Sequence, residues 1–482
     1  MITETCIRMW RKFSSPAFFF SVLSIAIIFF LAPIDTDLGW HLRYGDYFWQ
    51  TGSFLTTNKL TYFLPGYLWP NSYTLYQIIV SAFYKFGGLT SLTLLYSFLA
   101  ACTFLIFDAT YPKFNKINYF SFLFVVLFGW SVFRFGLRAQ IYSFVFLILL
   151  NFLIKKDNFK AKLFIPVLFL LWVNTHGAFV VGFILLGTEL VRLLVKKDYD
   201  KFRSLLLMSA ISLGATLINP YGIKIYEEVL RHAEVPMKSL IAEWVEPPIL
   251  FKLAITLFAA TLGFLILHKD AKKKVYLLLP LLAFSYLGYS ARRNLGLASI
   301  GYIFVVYELV APFIGKLKDN TYLSKTYILL TFLILVYFSV SQVPTAVSLD
   351  IDWVKYCNNG MLPYPYKAVE YIKREAIPGE NVFSSYEWGG FLEWQLPEYK
   401  FFVDGRTPAW PTPEGKSPYT VYLEIIQAQP GYEELLKLYD TDWMLVPANT
   451  YLDIELTREK KAVWKEVYRD EISAIYLKQA SK

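Results

Sequence analysis

Asp35-Thr-Asp37-Leu-Gly-Trp40-His41-Leu-Arg43-Tyr-Gly-Asp46 decides how this chain is read. It follows directly on an apolar run, 16–34, long enough to cross a bilayer, so two carboxylates, a histidine and an arginine emerge where hydrocarbon would end. Helical periodicity over 38–49 puts Asp37 and His41 one turn apart on one face, with Leu38, Leu42, Gly45 and Trp49 on an interfacial face. The stretch is either a carboxylate site on a platform at the membrane surface or a polar loop that caps a helix.

The surrounding composition favours the membrane. Of 482 residues, 56% are hydrophobic, 19% aromatic and only 18% charged, too apolar for an ordinary soluble protein of this size. Apolar runs separated by charge predict eleven spans, near 16–34, 89–110, 119–133, 139–154, 163–174, 177–194, 204–218, 250–267, 275–290, 295–313 and 327–343. The run 163–194 reads as a hairpin tipped at Asn174-Thr-His176-Gly177 rather than one long helix, because lysines flank it on both sides. Its first half reaches only about 18 Å at 1.5 Å per residue, which suits a re-entrant or broken helix. Arg8, Arg11 and Lys12 ahead of 16–34 imitate a signal peptide, but no small-residue cleavage site follows, so this run is expected to stay as the first span.

The net charge of +9 does not imply nucleic acid, since the basic residues sit in short clusters between apolar runs. Lys113 and Lys116, Lys155 to Lys162, Lys196 to Arg203, Lys269 to Lys274 and Lys316 to Lys325 fall in alternate connections and, with the basic N-terminus, define a cytoplasmic side. The connections 35–88, 134–138, 174–177, 219–249 and 290–294 are then extracytoplasmic, as is everything after residue 342. Cys6, Cys102 and Cys357 fall in different compartments on this topology and predict no disulfide or thiolate metal site. From 350 the composition becomes that of a soluble domain, with helices over 366–376 and 431–439 and strands near 381–385, 400–403, 442–446, 463–468 and 474–477. The expected fold is a polytopic α-helical membrane domain, 1–349, whose outer loop 35–88 carries interfacial helices, followed by a small mixed α/β extracytoplasmic domain, 350–482.

Arg134, Arg138, Arg292 and Arg293 break the charge bias that the other connections obey. Guanidinium groups held at the outer surface can bind the phosphate of a lipid bidentately; the plainer alternative is that they snorkel to ordinary phospholipid or pair with Asp35, Asp37 and Glu243. His176 and Asn174 at the hairpin tip could orient a carboxylate or donate to phosphate, or could cap a helix end. Asp35, Asp37 and His41 could hold a hard metal, so a divalent cation is admitted, although no cofactor is required. Transfer of a sugar from a lipid phosphate needs a base for the acceptor hydroxyl and cations on the departing phosphate, and these residue types supply both.

The chain resembles the polytopic glycosyltransferases of the GT-C superfamily, related to protein mannosyltransferases and lipid A aminoarabinose transferases. The resemblance rests on Asp35-Thr-Asp37-Leu-Gly-Trp-His41-Leu-Arg43, Arg138-Ala-Gln140, Trp172-Val-Asn174-Thr-His176-Gly177, Asn219-Pro-Tyr-Gly222, Glu243-Trp244 and Arg292-Arg293-Asn294, with Trp388-Gly389-Gly390 and Asp404-Gly405-Arg406 in the C-terminal domain. Gly39-Trp40-His41 and Arg138-Ala139-Gln140 stand where the family pattern has Trp-Trp-His and Arg-Pro-Gln. The resemblance implies a polyprenyl-phosphate sugar donor, a glycan, lipid or protein acceptor, and inverting transfer at the outer face of the cytoplasmic membrane. It further implies Asp35 or Asp37 as catalytic base, with His41, Arg43, Arg134, Arg138, Asn174, His176, Glu243, Arg292 and Arg293 around substrate and phosphate. A lipid flippase and a non-catalytic envelope assembly protein are the rival readings. The scarcity of ionisable groups at span centres and the lack of an inverted repeat weigh against transport.

Overall fold

A computed structural model describes residues 22–23, 25–27, 30, 34–110, 138–234, 241–268, 272–314, 321–341, 344, 353–358, 362–412, 415–458 and 463–479. The predicted span 119–133, most of 16–34 and Arg134 lie outside these residues. The chain divides into two compact units: residues 1–33, 87–222 and 241–347 form one, and 34–86, 223–240 and 348–482 form the other.

The main helices, in chain order, are α1 (Leu38–Thr51), α2 (Thr74–Thr110), α3 (Gln140–Lys155), α4 (Phe164–Val173), α5 (Phe179–Val195), α6 (Tyr199–Ala215), α7 (Lys224–Glu234), α8 (Ile249–Leu267), α9 (Leu278–Ser290), α10 (Leu295–Ile314) and α11 (Thr321–Ser341). Helix α2 is broken at Gly87 and Gly88, where Gly88 has φ 60° and ψ −149°. Only glycine adopts that backbone without strain, so the apolar helix predicted at 89–110 begins just after the break.

In the first unit α4 and α5 form the predicted hairpin. Gly182 of α5 lets the helices close: a Cβ there would stand 2.7 Å from the Phe169 ring and 2.8 Å from that of Trp172. A separate apolar cluster joins Ile255, Leu262 and Ile266 of α8 to Leu281 of α9 and to Ala298, Tyr302 and Val305 of α10. Large apolar side chains on the outer faces are left exposed, among them Leu250 at 74%, Leu257 at 68% and Phe264 at 69%. Among the described residues, Thr74–Phe107 and Ile249–Leu267 are long and apolar enough to cross a membrane, while Gln140–Lys155 is apolar but shorter.

The second unit is built on a five-stranded mixed sheet of β1 (Asn381–Ser384), β2 (Lys400–Phe401), β3 (Trp443–Pro447), β4 (Trp464–Arg469) and β5 (Ser473–Lys478), in the order β2-β1-β3-β5-β4. β1 pairs in parallel with β2 and β3, whereas β5 runs antiparallel to β3 and β4. All five strands lie where the alternation of apolar residues predicts them. The edge at β2 is not bare, because residues near 61 pair with it: Phe401 N–H donates to the Leu60 carbonyl and Tyr62 N–H to that of Phe401, each at 3.1 Å. Phe63 enters the same core as Phe383, Phe402, Met444 and Tyr476. The connection after the first predicted span is thus woven into the C-terminal sheet.

Candidate functional site

Helix α1 forms as its periodicity predicts and carries the acidic motif at its N-terminus. Asp37 is its N-terminal flanking residue, and its Oδ1 accepts the Trp40 indole N–H at 3.1 Å. Asp35 Oδ1 accepts the Asp37 backbone N–H at 3.2 Å, which folds the two acids into one tight turn. Asp35 is buried, whereas Asp37 is partly exposed. His41 is buried and stacks on Trp40 with ring centroids 3.5 Å apart, with Gln77 Nε2 at 3.4 Å from its Nδ1. Arg43 reaches the Pro397 carbonyl at 3.5 Å.

Three glycines let backbone approach this turn. A Cβ on Gly405 would stand 1.9 Å from Asp37 Oδ1, one on Gly390 would be 2.4 Å from the Thr36 carbonyl oxygen, and one on Gly39 would be 1.8 Å from that of Gly390. None has positive φ. These glycines are therefore required by close approach rather than by turn geometry, and Gly389-Gly390 and Asp404-Gly405-Arg406 form the bed on which the acidic turn lies.

Arg406 fixes that bed. It is fully buried, its Nε stands 3.0 Å from both Asp404 oxygens, and it donates to the Tyr44 hydroxyl at 2.5 Å and to Glu393 at 3.3 Å. The rings of Trp40, Tyr44, Trp69 and Trp410 surround its guanidinium at 5.9, 5.2, 5.6 and 5.5 Å. Burial, with the Asp404 charge beside it, pushes the Glu393 carboxyl well above the usual range. The shift is toward the neutral acid, which lessens the negative charge set against the one guanidinium.

The first unit holds Arg138, Arg292 and Arg293. Glu243 bridges two of them, accepting from Arg138 Nη1 and, at 3.2 Å, from Arg293 Nη1. Burial acts to raise the Glu243 carboxyl, but the positive charges of Arg293 and Arg138 outweigh it and hold the group below its ordinary range. Arg293 also lies over the Trp244 ring at 4.4 Å, and its carbonyl accepts from Gln140 Nε2 at 2.6 Å. The backbone N–H groups of Arg292 and Arg293 donate to the carbonyls of Val245 and Glu243, which binds the two short connections together. Arg292 makes no ion pair among the described residues. Two guanidiniums thus share one carboxylate, and the cluster carries excess positive charge.

His176 is buried at the tip between α4 and α5. The Trp172 indole N–H donates to Ser143 Oγ at 2.7 Å, and Ser143 Oγ lies 2.7 Å from His176 Nδ1. Ala178 N–H also points at Nδ1, at 3.3 Å. Both contacts make Nδ1 an acceptor and place the ring proton on Nε2. Burial, reinforced by the Arg293 charge, lowers His176 to about 3, so the imidazole is neutral. Asn174 caps helix ends, donating to the carbonyls of Leu170 at 2.9 Å and Ile218 at 3.0 Å. Ser143 gave no signal in sequence because it stands inside an apolar run.

Among the described residues no group of three or more His, Cys, Asp or Glu side chains is placed to hold a metal ion. Asp35, Asp37 and His41 do not form such a set, since the His41 ring packs among Trp40, Tyr73 and Tyr76.

Mostly helical with a small mixed sheet, the chain is similar in fold to solved structures of the GT-C type. ArnT from Cupriavidus metallidurans bound to undecaprenyl phosphate matches over 95% of this chain and 96% of its own, with a TM-score of 0.52 at 13% identity. The Archaeoglobus fulgidus oligosaccharyltransferase tethered with an acceptor peptide containing the NVT sequon matches over 89% of this chain and 68% of its own, at 0.54 and 12%. The archaeal oligosaccharyltransferase AglB from the same organism, in complex with an inhibitory peptide and a dolichol-phosphate, gives 0.53 and 11% over 89% and 69%. No family model and no curated protein matches the sequence.

Proposed function

We propose that this protein is a multi-pass membrane glycosyltransferase that moves a sugar from a polyprenyl-phosphate donor to a glycan, lipid or protein acceptor at the outer face of the cytoplasmic membrane. The observation that carries the reading is the pairing of both Arg138 and Arg293 with the single carboxylate Glu243, beside Arg292 in the same short connection. Such a cluster suits a phosphate whose negative charge grows as the sugar departs. The fold supports it, since ArnT is seen bound to undecaprenyl phosphate and AglB in complex with a dolichol-phosphate. The exposed apolar faces of α8 and α9 support a bilayer environment, because water would penalise so much uncovered hydrocarbon.

In this reading Asp37 is the base. Trp40 orients its carboxylate, its partial exposure leaves it reachable, and Asp35 shapes the turn beneath it. The acceptor hydroxyl loses its proton to Asp37 as its oxygen attacks the anomeric carbon. The bond from that carbon to phosphate oxygen breaks on the opposite face, inverting the centre, and the arginines take up the charge of the lipid phosphate. His176 keeps Arg293 company as a neutral hydrogen-bonding group, and no step is assigned to a cation.

Mass spectrometry of surface glycans from cells with and without the protein tests the reading and identifies the sugar. Asp37→Asn, with the protein still inserted, is expected to abolish the glycan that the wild type restores. Arg292→Ala should weaken donor use by about 2–4 kcal/mol of transition-state stabilisation. A full glycan in the absence of the protein, or in Asp35→Asn and Asp37→Asn alike, overturns it.

A further inference from the structure

The first unit contains a cavity of about 510 Å³ at the lysine-rich ends of α3 and α5, bordered also by α9 and α10. That volume is in the range of small-ligand sites. Arg138 and Lys155 stand at opposite ends of α3, some 25 Å apart at 1.5 Å per residue, so this is not the arginine cluster described above.

The charges of the lining are nearly, but not fully, cancelled. Lys201 pairs with Asp157 at 2.6 Å, Arg192 pairs with Glu189, and Lys155 pairs with Glu308. Every carboxylate of the lining is used by those three pairs. Lys162 remains. It ends the short helix Phe159–Lys162, lines the cavity, and is only 7% exposed, yet its ammonium has no ion pair or hydrogen bond among the described residues. Asp157, the carboxylate whose charge it meets, is already bonded to Lys201, so Lys162 stands in the lining without an anion of its own.

The rest of the wall is apolar, with Leu185, Phe284, Phe304 and Val305 facing the same space. The outer surface of α5 beside it exposes Val191, Leu194 and Val195. A ligand suited to this site has one anionic oxygen group at Lys162 and hydrocarbon beside it. We propose that the cavity binds the phosphate head of an anionic lipid, with Lys162 as the principal contact and the three surrounding ion pairs holding the mouth open. The assignment does not depend on sugar transfer.

The full chain, purified in non-ionic detergent and stripped of lipid, is titrated with phosphatidylglycerol, diacylglycerol or inorganic phosphate and followed by native mass spectrometry. Phosphatidylglycerol should be retained and diacylglycerol should not. Lys162→Glu should weaken phosphatidylglycerol about tenfold or more, while Lys162→Arg keeps most of the affinity. Lys162→Gln replaces the glutamate variant if that one does not fold. Equal retention of phosphatidylglycerol by wild type and the neutral or acidic variant overturns the site. Displacement of the lipid by inorganic phosphate at comparable concentration overturns the lipid as its ligand.

Discussion

At the scale of single residues, the polar groups are held by short relays. His176 is the sharpest case. Its ring receives the Ser143 hydroxyl, which in turn receives the Trp172 indole, and burial with the Arg293 charge nearby lowers it to about 3 from an ordinary 6.5. A base depressed in the folded state contributes stability that is complete above its unfolded value and is lost as pH falls from 6.5 through 3. Thermal unfolding in detergent should therefore fall more steeply on acidification for the wild type than for His176→Gln. Parallel pH profiles would show that His176 is not held neutral. Glu243 works in the opposite sense, as an acid whose ionised form is secured by two arginines. The pairing of Arg138 and Arg293 with Glu243 was one of the plainer alternatives open in the sequence, and it holds; the excess guanidinium is what leaves room for an anion.

At the scale of elements, the acidic turn depends on how closely helix α1 and the C-terminal glycines approach. Gly405→Ala would drive a methyl to 1.9 Å from Asp37 Oδ1, so the carboxylate or the Asp404–Arg406 turn must move. The expected cost is about 1–3 kcal/mol of stability, with transfer reduced further because the base is displaced. Gly52→Ala is the matched control. Gly52 ends α1 with φ 68° and nothing lies within 4 Å of its added Cβ, so only backbone strain of about 1 kcal/mol is expected and activity is kept. Glycan output and melting temperature of the two variants separate a positional effect from a conformational one.

At the scale of the whole molecule, the C-terminal sheet is a structural partner of the first connection. Arg406, Asp404 and Trp410 come from the C-terminal segment and close over Trp40, Tyr44 and Trp69 from the segment after the first predicted span. Ending the chain at 347 should leave those rings uncovered, make residues 34–86 protease-sensitive and abolish transfer. Arg406→Ala, which strands the Asp404 carboxylate, is expected to cost about 3–5 kcal/mol. Full activity of the truncated chain would remove the sheet from any positioning role.

Local pattern by itself determined a good deal. Periodicity placed α1 and all five strands, because helix and strand registers are written in the spacing of apolar residues, and the lysines on both flanks placed the α4–α5 hairpin. Charge placement singled out Arg138, Arg292, Arg293 and the acidic turn, because a charge beside hydrocarbon is costly enough to be conspicuous. Tertiary structure alone decided what those groups touch. That Gly405 abuts Asp37, that Glu243 joins Arg138 to Arg293, that Ser143 turns His176, and that Lys162 is the buried cation left over are contacts between residues up to hundreds of positions apart. Their energies come from approach distances and shared desolvation, which leave no local period in the chain. The acidic motif of residues 35–46 was legible as a site, whereas its bed of Gly390, Gly405 and caged Arg406 arose only when the chain closed on itself.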